Sequence, residues 1–138
     1  MISFFVAGTP VAQSRPRFAR RGNFVATYDA APAKDYKSWV KYCALDEMGK
    51  TGLTIINRDV PLKIDVVINL QRPKSKPKRF VLPTTKPDCD NILKGLQDAL
   101  EGIVYEADQQ IVSASVQKQY HVAAGVHVHI SEFKIYID

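Results

Sequence analysis

The run PLKIDVVINLQ, residues 61–71, constrains the fold most, because its density of β-branched residues reads as a central strand. The next segment cannot continue that strand. RPKSKPKRFVLPTTKP, residues 72–87, places prolines at 73, 77, 83 and 87 and carries Arg72, Lys74, Lys76, Lys78, Arg79 and Lys86 without a single acid. Such a segment has too little apolar surface to pack and is expected to be a mobile loop or arm. Regular structure resumes in KPDCDNILKGLQDAL, residues 86–100, with Asp88 or Asp90 as the helix N-cap; Ile92, Leu96, Ala99, Leu100 and, just beyond, Ile103 recur at helical spacing and form one apolar stripe, ending near Gly102.

The remaining elements follow from the same periodicities. ISFFVAG (2–8) is a short apolar run closed by Gly-Thr-Pro and reads as a strand. Residues 9–29 read as irregular. APAKDYKSWVKYCALDEMGK (31–50) reads as a helix with Pro32 in its first turn, a buried stripe of Tyr36, Trp39, Val40, Cys43 and Ala44, and a stop at Gly49 or Gly52. Two strands are expected over 109–121 and 125–137, joined by a hairpin turn at Ala123-Ala124-Gly125. The order is β-α-β-α-β-β, which predicts an α+β fold: a mixed β-sheet of about four strands with two main helices packed on it. A length of 138 residues fits one domain spanning 1–138.

Composition narrows the partners. With 46% hydrophobic and 24% charged residues the chain has an ordinary soluble makeup. Its net charge of +5 and pI of about 9.2 favour a polyanion, although an excess of this size also occurs without one. No run approaches the ~18 apolar residues that a membrane span needs. The N-terminus has no basic stretch before its apolar run, so a signal peptide is not expected. Cys43 and Cys89 are read as unpaired. A cytoplasmic, nucleoid-associated protein with no membrane partner is the expectation.

Chemistry concentrates at Asp88 and Asp90. In extended backbone, side chains at i and i+2 face the same way, and two carboxylates aimed at one spot repel unless a proton or cation sits between them. A hard divalent ion such as Mg²⁺ takes oxygen ligands of this kind. Asp108, just before the next strand, is a third candidate if the chain returns to the site, with Glu101 and Glu106 as rivals. Lys94 lies one turn after Asp90, placed either for a surface ion pair or to set its ammonium against a scissile phosphate. On spacing alone the plainer reading is a helix cap plus a solvated acid. The flanking acid-free basic segments weigh against it: cation-binding acids on a surface that attracts phosphate are what cutting a nucleic-acid backbone requires.

KPDCDNILKGLQDALEGIVYEADQQI, residues 86–111, resembles the RusA family of Holliday-junction resolvases. The shared pattern is Asp-x-Asp-Asn, a lysine one turn on, and an aspartate shortly before a strand. It falls here on Asp88, Asp90, Asn91, Lys94 and Asp108. GTPVAQSRPR and the following helix also look like the family's N-terminal part, so the likeness covers most of the chain but is specific only near 86–112. The resemblance implies a homodimeric endonuclease that uses Mg²⁺, with Mn²⁺ as a substitute, and resolves four-way DNA junctions by paired symmetric nicks in recombination and repair. It implies that Asp88, Asp90 and Asp108 bind the metal and that Lys94 supports catalysis. The basic segment 72–86 is longer and richer in proline than the family pattern.

Arg15, Arg17, Arg20 and Arg21 are expected to contact DNA phosphates, as are the six basic residues of the 72–87 loop, with Asn91 beside them. Phe80 is a candidate for stacking on an unpaired base, against a role as a small apolar anchor of the loop. His127 and His129 share one face of the last strand and are read as a polar outer face rather than a metal site; His121 has no role. Two other functions compete: a non-catalytic nucleic-acid-binding module whose acids only cap a helix, and a metal-dependent nuclease for flaps or single strands.

Overall fold

A computed structural model describes residues 1–13, 17–22, 24–28 and 31–137, with the backbone alone for 17–21 and 24–28. Its elements are β1 (Ile2–Ala7), β2 (Arg17–Arg21), β3 (Phe24–Tyr28), α1 (Ala31–Thr51), β4 (Leu62–Leu70), α2 (Cys89–Leu100), a 3-10 turn at Asp108–Gln110, β5 (Ile111–Tyr120) and β6 (Gly125–Glu132). Four strands form a mixed sheet in the order β1-β6-β4-β5, and the expected α+β layout with two helices holds.

The β-branched run is central, as its composition requires. β4 pairs with β5 in parallel and with β6 antiparallel, and α2 is the crossover between the two parallel strands. Ile2, Phe4 and Val6 of β1, Ile64, Val66 and Ile68 of β4, and Val126, Val128 and Ile130 of β6 point to one face. There they meet Val40, Ala44 and Met48 of α1 and Ile92, Leu96, Ala99 and Leu100 of α2. The molecule is therefore two layers, helices on one sheet face. The other face is open and carries exposed His127 and His129, the polar outer face expected for them. Ser3 bonds the His129 ring there, and the Phe5 and His127 rings lie 4.6 Å apart.

Several expectations need correction. β5 and β6 are not a hairpin: β4 lies between them, and the link at 121–124 passes over the end of β4, where His121 N donates to Leu70 O at 2.9 Å. The reason is that α2 delivers β5 to one edge of β4 and leaves its other edge to β6. The last strand stops at Glu132 rather than 137. Residues 9–29 contain a two-stranded sheet, β2 with β3, instead of a wholly irregular segment. Trp39 is 41% exposed, not in the buried stripe, which runs through Ala33, Val40, Ala44 and Met48. Its indole sits at the rim, with Nε1 donating to Ala7 O at 2.8 Å and the ring stacked on Tyr42. Of the two glycines offered as helix stops, Gly52 serves: its φ of +75° suits a residue without Cβ, and its N–H caps Met48 O at 2.9 Å.

The basic segment after β4 is also not a free arm. Turns close at Lys76 N to Pro73 O (2.9 Å) and Phe80 N to Pro77 O (3.1 Å), and Pro83 is buried. Side chains rather than a core of its own hold it. Arg72 donates to Phe80 O at 3.0 Å and lies over the Tyr120 ring, 5.2 Å from its centroid.

Candidate active site at the ends of the second helix

The chain enters α2 under restraint. Lys118 of β5 sends its ammonium to Thr85 O at 2.7 Å and Pro87 O at 3.0 Å, which fixes the two residues' backbone just before Asp88. A one-residue irregularity early in β5 sets this up. It shifts the strand's phase, so that Val116, Lys118 and Tyr120 pair opposite the inward Val66, Ile68 and Leu70. A lysine in an otherwise apolar phase is the signal by which it could have been found, and the sequence reading missed it.

Asp88 occupies the N-cap position of α2 in extended backbone (φ −75°, ψ 142°), yet its carboxylate makes no capping bond. Asp90 and Lys94, spaced for an ion pair, do not form one. Among the described residues none of Asp88, Asp90, Asn91 and Lys94 has a side-chain hydrogen bond or ion pair, and Asp88, Asp90 and Lys94 are exposed. The folded chain thus gives these side chains no hydrogen-bonded or ion-paired partner. The helix N-terminus adds partial positive charge that offsets the crowding of the two carboxylates. Gln13 approaches the second turn of α2, where a Cβ on Gly95 would lie 3.6 Å from Gln13 Cβ, and Gln13 Oε1 is buried without a partner.

Asp108 stands elsewhere. The buried Tyr105 hydroxyl lies 2.7 Å from Gln97 O and 3.2 Å from Asp108 Oδ1, sharing its proton between them beside the last turn of α2. Burial, then a hydrogen bond and like charge from Glu101, push Asp108 up to about 6, with Asp98 adding to the rise and the Tyr105 bond opposing it. Tyr105 itself is pushed well above the ordinary phenol range by burial and then by the charge of Asp108. Glu106, the other rival, is committed to Arg58, whose Nε is 3.5 Å away and whose backbone N–H it accepts at 2.8 Å.

Two measures separate the acids. Gln97 lies seven residues along α2 from Asp90, about 10 Å at 1.5 Å per residue. Lys118, which holds Pro87, lies seven residues along β5 from Ile111, about 23 Å at strand rise. Ligands of one Mg²⁺ all sit about 2 Å from it. Asp88 and Asp90 are thus together in one chain and Asp108 is apart from them. Among the described residues no group of three His, Cys, Asp or Glu side chains stands close enough to hold a metal ion. The donors suit a hard divalent ion in kind, all being carboxylate oxygens.

Of the expected DNA contacts, Lys74, Lys78, Arg79 and Lys86 are exposed, whereas Arg72 is engaged in holding its loop. Arg17, Arg20 and Arg21 lie on β2. Arg15 falls outside the described residues. No described helix is long and apolar enough to cross a membrane.

Comparison with known proteins finds relatives over nearly the whole chain. The family model described as "Endodeoxyribonuclease RusA" matches residues 7–131. An uncharacterized protein of Bacillus subtilis (strain 168), YqaN, is 38% identical over 141 residues, covering 95% of this chain and 96% of its own.

Proposed function

Because the chain belongs to the RusA endodeoxyribonuclease family, we propose that it is a Mg²⁺-dependent nuclease that resolves four-way DNA junctions as a homodimer. The observation that carries this is the set Asp88, Asp90, Asn91 and Lys94, left without structural partners at a helix N-terminus fixed by Lys118. Polar groups held in place but bonded to nothing are what a site for an ion and a phosphate needs.

The separation of Asp108 from the pair gives the dimer a chemical role. Asp88 and Asp90 of one copy, with Asp108 of a second, would complete the oxygen set that neither copy holds alone. Two such sites related by a two-fold axis would face two equivalent strands of a four-way junction. In each, Asp88 and Asp90 would hold the ion, Lys94 would set its ammonium against charge developing on the scissile phosphate, and Asn91 would orient the backbone. An ion held there would supply polarisation of the phosphoryl oxygen and a more acidic attacking water. The water oxygen would bond to phosphorus as the bridging P–O bond breaks, the water's proton passing to solvent and the released oxygen taking one up to leave as a hydroxyl. The exposed lysines of the 72–87 loop draw in the duplex arms, a contact weakened by salt.

The test is incubation of the wild-type protein with labelled synthetic junction, duplex and single strand, each with Mg²⁺ and with chelator. Paired nicks in the junction alone, abolished by chelator, are expected. Equal cutting of all three substrates would remove the junction claim, and no cutting with Mg²⁺ would remove the enzyme claim.

A further inference from the structure

The loop between β4 and α2 presents three consecutive large apolar side chains to water: Phe80 at 40%, Val81 at 65% and Leu82 at 63% exposure. Single exposed apolar residues are ordinary, but a contiguous apolar tip is a surface built for contact. Two cations attend it. Lys76 Nζ lies 4.7 Å and the Arg79 guanidinium 5.0 Å from the centre of the Phe80 ring. The tip is presented rather than loose. Phe80 N–H closes a turn on Pro77 O, its carbonyl accepts from Arg72 at 3.0 Å, and Tyr120 N–H reaches Val81 O at 3.5 Å.

We propose that Phe80, with Val81 and Leu82, is a wedge that enters the branch point of the junction and stacks on bases left without neighbours there. The occupant follows from the loop's chemistry. A segment with six cations and no acid over residues 72–87 suits phosphates on both sides of the tip, not a protein surface of ordinary composition. Within nucleic acid, an aromatic wedge meets its lowest cost where stacking is already interrupted, since opening an intact duplex step must be paid in unstacking. Base–aromatic stacking tolerates any sequence, so the wedge reads branching rather than bases. The same loop runs on through Thr85 and Pro87, both held by Lys118, into Asp88. Wedge and acids thus share one support, which fixes the distance from branch point to cut. This inference rests on the nuclease reading and adds to it the element that selects branched DNA.

The experiment uses four-way junctions carrying 2-aminopurine at the branch point and, in parallel, matched duplex. Binding is read in Ca²⁺ and cutting in Mg²⁺. Wild-type protein should dim the junction probe on binding, as the ring stacks on it, and leave the duplex probe unchanged. Phe80→Ala should bind with its lysine contacts intact, fail to dim the probe, and cut the junction at least about tenfold more slowly. Phe80→Trp should restore both. Unchanged thermal melting of the variants accompanies these results, since the ring lies outside the core. A Phe80→Ala variant that still dims the probe and cuts normally overturns the wedge, as does wild-type protein that cuts junctions without dimming. Failure of wild-type protein to bind or cut any junction overturns the nuclease reading and the wedge together.

Discussion

Asp88 sits where a helix cap belongs and does not cap, so its replacement separates structure from chemistry. Losing a working cap costs about 1 kcal/mol. Asp88→Ala and Asp90→Asn should instead melt within about 2 °C of wild type, as ordinary surface changes do. Both should cut junctions at least about a hundredfold more slowly while still binding them, the scale expected when the ion that stabilises developing charge is no longer held. A melt combined with a nicking assay checks this, and a large fall in melting temperature with normal cutting would return Asp88 to the role of a cap. Asp108 invites a different measurement. Its folded-state value, raised to about 6, means that the folded chain binds a proton there more tightly than the unfolded chain does. Such an acid favours folding at low pH and loses that contribution as pH rises through about 6. Glu101→Gln removes the like charge, so Asp108 should titrate lower by NMR. The variant should gain about 1–3 °C in melting temperature at pH 7 and nothing near pH 3.

At the scale of elements, α2 is positioned by its neighbours at both ends, and Lys118 is the tie at the site end. Lys118→Met keeps the stem's packing and deletes two charge-assisted bonds to Thr85 and Pro87 carbonyls. Cutting should fall by about tenfold or more with little change in junction binding, because a small misplacement of Asp88 is costly to catalysis; single-turnover cleavage beside equilibrium binding reads the split. The sequence announced the elements whose signal is local. The β-branched run of β4, the apolar stripe of α2 and the alternation of β6 were all legible, because burial on one face imposes a period. Strand partnership was not, since the choice between β6 pairing with β5 or with β4 and β1 rests on contacts distant in the chain. The short β2–β3 pair was hidden for another reason: RFARR carries three charges in five residues and shows no apolar period. Within the site, the acids and Lys94 could be named from spacing, whereas Lys118 could not, because its use depends on a phase shift in β5 that only pairing shows. The loop's order was likewise invisible, being supplied by Arg72, Tyr120 and Lys118 rather than by apolar residues of its own.

At the scale of the whole molecule, one geometrical fact governs the remaining prediction: Asp108 and the Asp88–Asp90 pair lie toward opposite ends of α2. If each site is completed by a second copy, two dead variants should repair each other. A mixed dimer of Asp90→Asn with Asp108→Asn chains places both lesions in one shared site and leaves the other with intact Asp88, Asp90 and Asp108. If each site belongs to a single chain, both sites of the mixed dimer stay broken. Co-expressed, differently tagged chains purified through both tags should therefore nick one strand of a junction in Mg²⁺, while neither parent dimer does. The product should be singly nicked junction rather than resolved duplexes, because only one of two sites is whole. The rate of that nick should approach the wild-type rate per site, since the surviving set is complete. Silence of the mixed dimer, with junction binding retained, would place all three aspartates of a working site within one chain and require a rearrangement of α2 and the 3-10 turn to bring them together.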